Sequence, residues 1–151
     1  MFEMCKFLNV DFHEDDRRQS ITDIVPEMPN EQINVSYIPA KSAIVWGHWH
    51  KKQIDYWCVL SGQLKVLLAD VNTSYVPNKN KQFFYPRFTY LSDKNIRTLK
   101  IPPGVVHGYQ NISDKPAILL YYLSRKYNSA ADEYRVPWDY FGKDFWEIKN
   151  K

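Results

Sequence analysis

The feature that most constrains this chain is a succession of short β-type runs, each closed by turn-forming residues. Aromatic and β-branched side chains recur in these runs, and such side chains suit the pleated surface of a sheet. The pattern predicts strands at residues 4–11, 32–38, 43–50, 56–60, 63–70, 83–85, 88–91, 98–101, 108–111 and 117–124. Only residues 129–133 and 140–148 have helical character. Many short strands with little helix indicate an all-β sandwich or barrel.

The chain is predicted to form a single domain over residues 1–151. Its 151 residues suit one hydrophobic core, and no internal repeat, low-complexity tract or Gly/Ser linker divides them. Aromatic residues make up 16% of the sequence. That excess is typical of a β-rich core and also suits a pocket that stacks flat ligands, so both interpretations stay open. Ser61-Gly62 predicts a tight turn that joins two strands as a hairpin.

The composition excludes several classes of partner. A formal net charge of +3 is too small to indicate nucleic acid binding, and no stretch has the length of apolar sequence that spans a bilayer. Residues 1–11 lack the basic start and apolar run of a signal peptide. Cys5 and Cys58 lack metal-ligand spacing and suit a reducing compartment. These features predict a soluble cytoplasmic protein with neither a nucleic acid nor a membrane partner.

Three of the four histidines lie at informative positions. His48 and His50 are two residues apart in a predicted strand, so period-two alternation directs both imidazoles to the same face. Asp55 follows five residues after His50, and Gly62 follows seven residues after Asp55. The third histidine stands in the run Pro102-Pro103-Gly104-Val105-Val106-His107-Gly108-Tyr109-Gln110-Asn111.

These two segments resemble the paired motifs of the cupin family, HxH–x4–E–x6–G and PxG–x2–H–x3–N, with Asp55 in place of the glutamate. A single histidine in a strand is usually a hydrogen-bonded structural residue, whereas two motifs at matching spacing are hard to obtain by chance. The resemblance implies a cupin barrel, which is a double-stranded β-helix or jelly roll, with short C-terminal helical segments. A cupin barrel alone does not define a function, because many chemistries share it.

Residues 91–109 narrow the resemblance further. They resemble the LSxxNxRxLxIPxGxAHGF stretch of the dTDP-4-dehydrorhamnose 3,5-epimerases, and residues 32–36 are similar to the QxNxS strand of that family. Asp16-Arg17-Arg18 lies where the family has DxRG, and residues 120–124 resemble the strand that holds its catalytic tyrosine. Residues 48–52 also resemble the HxHKK run of the dTDP-sugar 3,4-ketoisomerases. The resemblance implies a divergent epimerase or isomerase of a nucleoside-diphosphate-linked 4-keto-6-deoxy sugar, in deoxysugar or surface polysaccharide biosynthesis.

Proton transfer suits the residues that the resemblance picks out. A proton beside a ketone can be removed because the charge spreads onto the carbonyl oxygen as an enolate, and histidine is a suitable base near neutral pH. The resemblance assigns Tyr121 as the acid on the opposite face of the sugar. The base falls on His48 or His50, and we favour His48, because that alignment keeps HxHKK in register with Gly62. This mechanism requires no cofactor.

The same resemblance predicts a nucleotide-sugar substrate and the residues that contact it, which are Arg17, Gln32, Asn34, Lys51 and His107. Lys51 and Lys52 are most often surface charges in such runs, and Lys51 is retained as a candidate phosphate contact. Family and fold also imply a homodimer, because small cupins commonly pair through sheet edges and because edge strands need cover.

Two departures from the epimerases favour alternative functions. Trp46 and Asp55 stand where the epimerases have an arginine and a lysine that help to bind phosphate or sugar. Asp55 would instead complete a set of three histidines and one carboxylate for one divalent transition metal ion, such as Fe(II), Mn(II), Ni(II) or Zn(II). The alternatives are therefore a metal-dependent cupin isomerase or dioxygenase and a cupin that only binds sugar. The metal ligands in the first alternative would be His48, His50, Asp55 and His107.

Overall fold

Eleven strands and one short helix form among the residues that the computed structural model describes, which are 6–15, 18–42, 45–71, 86–137, 139–142 and 145–146. In chain order they are β1 (Asp11–Glu14), β2 (Gln19–Thr22), β3 (Gln32–Ile38), β4 (Val45–His50), β5 (Asp55–Ser61), β6 (Gln63–Asp70), β7 (Arg87–Ser92), β8 (Thr98–Ile101), β9 (Val105–Asn111), β10 (Ala117–Leu123), α1 (Ser129–Asp132) and β11 (Glu133–Arg135). A six-stranded sheet has the order β1-β2-β3-β10-β5-β8, and a five-stranded sheet has the order β11-β4-β9-β6-β7. The two antiparallel sheets confirm the predicted all-β class.

Three of the predicted strands have the same bounds in the structure. The predictions for 32–38, 63–70 and 98–101 coincide with β3, β6 and β8. The predicted strand at 4–11 is wrong in its described part, because residues 6–10 form no strand and β1 begins at Asp11. The sequence pattern also missed β2 and β11. The predicted strand at 83–85 lies outside the described residues.

The C-terminal helical segments are shorter than predicted. The first is confirmed as α1, a single turn that covers Ser129–Asp132. The second is wrong where it is described, because residues 140–142 and 145–146 form turns and bends. Gly142 has a φ of +115°, a left-handed conformation that a continuing right-handed helix cannot contain.

The inward side chains of the two sheets change from apolar to polar along the barrel. In β3, Ile38 packs into the hydrophobic core, whereas Gln32 and Asn34 are buried at the opposite end of the strand. In β5, Val59 belongs to the core, and Asp55 is buried at the start of the strand. The core is therefore concentrated at one end of the barrel, and polar groups surround the interior at the other end. The buried core residues are Ile38, Trp57, Val59, Leu64, Val66, Leu91, Ile101, Tyr109, Ala117 and Leu119.

Gly62 carries the chain from one sheet into the other. The predicted turn is present, but the predicted hairpin is wrong, because β5 lies in the six-stranded sheet and β6 in the five-stranded sheet. The φ of Gly62 is +80°, a conformation that glycine adopts without steric cost. A Cβ at this position would lie 2.9 Å from the Cα of Ala117. The glycine therefore lets β10 approach the corner closely.

The segment after β11 covers the outer face of the five-stranded sheet. Val136 and Trp146 are buried there against Leu67, Ala69 and Val106. Removal of this apolar surface from water stabilises the fold and holds β11 against β4, the strand that carries two of the histidines. Within the described ranges, no helix has both the length and the apolar character that a membrane span requires.

Candidate active site

Four potential metal ligands converge between the sheets. His48 and His50 extend from β4, His107 from β9, and Asp55 from the start of β5. Antiparallel pairing places His48 opposite His107, and their ring centroids are 4.3 Å apart. The ring centroid of His50 lies 5.3 Å from that of His48. One donor atom from each of the four residues lies within 4.8 Å of the other three.

Backbone carbonyl groups determine the tautomers of two of these histidines. Nδ1 of His50 lies 3.0 Å from the carbonyl oxygen of Asp132, and Nδ1 of His107 lies 2.9 Å from that of Val105. A carbonyl oxygen can only accept a hydrogen bond, so each Nδ1 carries the proton. In the neutral form of each ring, Nε2 therefore presents a lone pair to the interior. This arrangement is typical of histidines that bind a metal.

Asp55 supplies a buried carboxylate beside these rings. Burial alone would raise its pKa, but the adjacent His107, together with the Gln53 amide and His50, lowers the pKa of Asp55 below its usual value. Gln53 Nε2 donates to Oδ1 over 2.7 Å, and Trp57 Nε1 donates to Oδ2 over 3.3 Å. The carboxyl group is therefore ionised and held in a fixed orientation.

The donor set fits a divalent transition metal ion. His107 Nε2 is buried and has no hydrogen-bond partner within the described part of the chain. It lies 3.4 Å from Asp55 Oδ2 without the alignment of a hydrogen bond. A lone pair that faces a buried carboxylate is unfavourable unless a proton or a cation lies between them. Imidazole nitrogens with one carboxylate oxygen are ligands that Zn(II), Fe(II), Mn(II) and Ni(II) accept.

A cavity of about 500 Å³ opens in front of this cluster. His48 and His50 line it from the five-stranded sheet, and Tyr121 lines it from the six-stranded sheet. Its volume lies within the range of pockets that hold small molecules. The polar lining suits a ligand rich in hydroxyl and carbonyl groups.

Gln32 and Asn34 form a hydrogen-bonded pair on the six-stranded side of the cavity. Gln32 Nε2 donates to Asn34 Oδ1 over 2.9 Å, and the same oxygen accepts from the backbone nitrogen of Asp23 over 2.8 Å. Gln32 Oε1 accepts from the backbone nitrogen of Tyr127 over 2.8 Å. These contacts fix both amides, so that the groups facing the cavity are held before a ligand arrives.

Tyr121 and Tyr122 have different surroundings, as alternation along β10 predicts. The hydroxyl of Tyr121 accepts a hydrogen bond of 3.5 Å from Ser36, and its ring lines the cavity. The ring of Tyr122 instead packs edge-on against Tyr56, with centroids 5.6 Å apart, and is not part of the cavity lining. Of this pair, Tyr121 is the one placed to reach a ligand in the cavity.

The structure thus brings most of the predicted site residues to one cavity. His48, His50, Tyr121, Gln32 and Asn34 line it, and His107 lies in the ligand cluster behind its wall. Lys51 is exposed and does not line the cavity; its Nζ lies 4.7 Å from the centroid of the Tyr134 ring. Arg17 lies outside the described residues.

Arg18 lines the cavity, although the sequence pattern did not single it out as a ligand contact. Its Nη1 donates to the hydroxyl of the buried Tyr109 over 2.8 Å. The electrostatic effect of Tyr109 raises the pKa of Arg18 above its usual value despite partial burial, so the guanidinium is charged. Arg18, Ser20 and Thr22 all line the cavity, and this period-two alternation is the signal that could have identified Arg18.

Gln53 is a second residue that the sequence pattern missed. Its Nε2 contacts both Asp55 Oδ1 and His50 Nε2, the latter over 3.2 Å. One amide therefore connects the carboxylate with an imidazole lone pair. A glutamine in the turn between two strands carries no sequence signal of this role.

Asp132 fixes the turn that precedes β5. Its carboxylate accepts hydrogen bonds from the backbone nitrogens of Lys51, Lys52 and Gln53, over 2.9, 3.2 and 3.0 Å. Its own carbonyl oxygen accepts from His50 Nδ1. The end of α1 therefore orients both the histidine and the turn that carries Gln53.

Comparison with solved structures relates this arrangement to known proteins. The capsular polysaccharide assembling protein CapF from Staphylococcus aureus superposes with a TM-score of 0.70 at 18% identity, over 85% of this chain and 32% of CapF. NovW, a 4-keto-6-deoxy sugar epimerase from the novobiocin biosynthetic gene cluster of Streptomyces spheroides, superposes with a TM-score of 0.64 at 18% identity. That match covers 96% of this chain and 83% of NovW. The chain has a cupin fold. The expected resemblance is thereby confirmed at the level of the fold, which the chain shares with a sugar epimerase.

Comparison of sequences identifies a curated relative. The spore coat polysaccharide biosynthesis protein SpsL from Bacillus subtilis is 32% identical over 93 residues. The match covers 61% of this chain and 58% of SpsL, so the chain spans less than two thirds of that relative. No protein-family model matches the sequence.

Proposed function

We propose that this chain is an epimerase or isomerase of a 4-keto-6-deoxy sugar linked to a nucleoside diphosphate. One observation carries the proposal: His48 and Tyr121 line a single cavity from opposing sheets. Inversion at a carbon requires a base on one face of the sugar and an acid on the other. The two sheets offer these groups to opposite faces of a ligand between them.

The proposed reaction transfers protons and needs no net redox change. His48 removes the proton from the carbon beside the ketone, and the electron pair moves onto the carbonyl oxygen as an enolate. Tyr121 then donates its hydroxyl proton to that carbon from the other face, and solvent restores both groups. The charged guanidinium of Arg18, in the same cavity, would stabilise negative charge that develops on the substrate.

The similar proteins support this choice of substrate class. NovW is described as a 4-keto-6-deoxy sugar epimerase, SpsL as a spore coat polysaccharide biosynthesis protein, and CapF as a capsular polysaccharide assembling protein. We therefore place the activity in surface polysaccharide or deoxysugar biosynthesis. A cytoplasmic location and a homodimeric state belong to the same proposal, because nucleotide sugars are the proposed substrates and small cupins commonly pair.

Exchange of hydrogen for deuterium tests this proposal directly. The protein is incubated with dTDP-4-keto-6-deoxyglucose in heavy water, and the sugar is analysed by proton NMR. We expect deuterium at carbon 3 or carbon 5, because each cycle of enolate formation exposes that position to solvent-derived protons. No incorporation at high enzyme concentration would refute activity on this substrate.

A metal-dependent cupin isomerase or dioxygenase is a second candidate, favoured by the unpartnered Nε2 of His107 beside Asp55. His48, His50, Asp55 and His107 would hold the ion. When bound, such an ion would supply a Lewis acid that polarises a substrate oxygen. His48 would then be a ligand, and the proton-transfer base would have to be another group.

Metal content separates the two candidates. Protein purified without chelators is measured by elemental analysis, as are the His48→Ala and Asp55→Ala variants. His13→Ala is the matched control, because His13 is the one histidine outside the cluster. Near-stoichiometric Fe, Mn, Ni or Zn that is lost in the two cluster variants and retained in the control would favour the metal-dependent enzyme. Metal-free protein that catalyses deuterium exchange would favour the His48 and Tyr121 mechanism.

A further inference from the structure

A second groove lies beside the candidate active site. It has a volume of about 710 Å³ and is lined by the turn before β5 and by the segment that follows β10. His50, Gln53 and Tyr127 line both this groove and the active-site cavity. The two spaces therefore lie next to each other, on either side of these three residues.

Two cations of this groove are available to a ligand. Lys52 and Arg125 line it and are exposed, and neither side chain has a hydrogen-bond or ion-pair partner in the described part of the chain. Lys126 differs, because its Nζ pairs with Asp23 Oδ2 over 3.0 Å. The Asp132 carboxylate also lines the groove, but it already accepts three backbone hydrogen bonds. These bonds fix the Asp132 carboxylate but leave its charge, so Lys52 and Arg125 together with Asp132 give the groove a net positive charge.

Hydrogen bonds fix the segment that carries Arg125. The backbone nitrogen of Ser124 donates to the carbonyl oxygen of Ile54 over 3.0 Å, and Ser124 Oγ accepts from the nitrogen of Ile54 over 2.8 Å. Beyond Arg125, the backbone nitrogen of Lys126 donates to the carbonyl oxygen of Asn30 over 2.7 Å. The next residue, Tyr127, is tied to the Gln32 side chain. The position of the groove relative to the cavity is therefore set by the fold.

We propose that Lys52 and Arg125 bind the diphosphate of a nucleoside-diphosphate-linked sugar whose sugar ring occupies the active-site cavity. The inference rests on the proposed function, and it assigns residues to the diphosphate part of the substrate. An arginine guanidinium can bind two phosphate oxygens at once, and a lysine ammonium adds a flexible point charge. The diphosphate links sugar and nucleoside, so a cationic groove that lies next to the sugar cavity has the required position.

Binding of nucleoside diphosphates without the sugar tests the site. The probes are dTDP and UDP, with the corresponding free nucleosides for comparison, and the measurement is isothermal titration calorimetry at two salt concentrations. We expect the Lys52→Gln/Arg125→Gln double variant to bind the tighter probe about ten-fold or more weakly, since two charge-assisted contacts are lost. The wild-type affinity should fall at higher salt, because these cations are exposed.

A matched control removes the same two charges from the other end of the barrel. Lys94→Gln/Arg97→Gln alters exposed cations in the turn before β8, near Gly62 and outside both spaces. The control should bind the probe as the wild type does. Equal weakening in both double variants would overturn the inference, because it would reflect net charge rather than a site. Failure of the wild type to bind dTDP and UDP more tightly than the nucleosides would overturn it as well.

Failure of this inference and failure of the proposed function have different signatures. Deuterium exchange with a KM unchanged in Lys52→Gln/Arg125→Gln would keep the function and refute the diphosphate site. Nucleoside diphosphate binding that depends on Lys52 and Arg125, without exchange in the wild type, would keep the site and refute the epimerase. Circular dichroism spectra and melting temperatures of the variants show whether each one is folded before its affinity is interpreted.

Discussion

Individual side chains of the site are oriented mainly by the backbone. The imidazoles of His50 and His107 donate to carbonyl oxygens, and Asp132 accepts from three successive amides. Backbone groups move less than side chains, so the Nε2 lone pairs are held in place before any ligand binds. Gln53 connects this set to Asp55. The cluster is therefore preorganised both for proton transfer and for coordination.

Substitution of Tyr121 by phenylalanine removes the proposed acid with little change of volume. We expect kcat for the exchange reaction to fall about a hundred-fold or more, since a general acid contributes on the order of 10²–10⁴-fold. KM should change little, because the ring remains in the cavity. Tyr122→Phe is the control, since Tyr122 packs against Tyr56 away from the cavity. An equal decrease of kcat in both variants would contradict the assignment of Tyr121.

Alternation along a strand predicted some site residues, and local contacts outside the strands decided others. His48 and His50 share a face because β4 is regular at that point, and Tyr121 is separated from Tyr122 for the same reason. Lys51 lies just after β4, in a turn whose backbone Asp132 binds, and its side chain is directed to Tyr134 instead of the cavity. Side chains in such a turn do not alternate between two faces, so the strand pattern could not predict the direction of the Lys51 side chain.

At the level of secondary-structure elements, the close packing of strand β10 against the corner requires glycine at position 62. Both Gly62 and Gly104 have a positive φ, +80° and +79°, but only Gly62 is crowded, by Ala117. Gly104→Ala should cost about 1 kcal/mol from backbone strain alone. Gly62→Ala should cost about 3 kcal/mol, because overpacking against β10 adds to the same strain. Urea unfolding followed by fluorescence measures both values, and equal losses would contradict the packing argument.

Strands with several buried residues were predictable, as were β7 and β8 at sheet edges, whereas the short exposed strands β1 and β11 were not. β3 and β6 lie between two neighbours, so burial imposes a regular sequence pattern on them. β1 and β11 lie at sheet edges, with mostly exposed residues and only three or four positions each. Short exposed strands of this kind depend on pairing with a neighbour that the local sequence does not specify. The same limit explains why the Gly62 turn was predicted but its change of sheet was not.

For the whole molecule, surface carboxylates predict how stability changes with acid. Hydrogen bonds from Lys115 and from the backbone of Gly62 lower the pKa of Asp93 below its usual value of 3.8, and the hydrogen-bonded Lys41 lowers the pKa of Asp114 in the same way. Carboxylates with a lower pKa in the folded state stabilise it above the unfolded-state pKa. This contribution should be lost as the pH falls below about 4, because protonation then favours the unfolded chain.

Urea midpoints measured at several pH values between about 7 and 3 test this expectation. Asp93→Asn should lose less stability than the wild type between about pH 7 and pH 3, because the Asp93 carboxylate can no longer be protonated. Lys94→Gln leaves the Asp93–Lys115 pair intact and should retain most of the wild-type slope. An acid slope in Asp93→Asn that equals that of the wild type would show that this carboxylate does not contribute.

The β1 edge of the six-stranded sheet is a candidate surface for association of two copies of the chain. β1 is its terminal strand and is exposed along its length, with Phe12 63% exposed and Phe7 in the segment before it 105% exposed. Apolar side chains on an edge that no other described strand covers favour pairing with a second copy of the chain. We therefore expect a homodimer formed through β1, which sedimentation velocity should detect at micromolar concentration.

Phe12→Asp should convert that dimer to a monomer, because it places a charge at the centre of the proposed contact. Ile96→Asp is the control, since Ile96 is similarly exposed, at 58%, but lies beyond β7 near the Gly62 corner. Dimers that persist in Phe12→Asp would assign the interface to another surface, and a wild-type monomer at all concentrations would refute the homodimer. β1 pairs with β2, and Arg18, which lines the cavity, directly precedes β2. Loss of the dimer should therefore also change KM, because pairing of β1 with a second copy would hold this sheet edge in place.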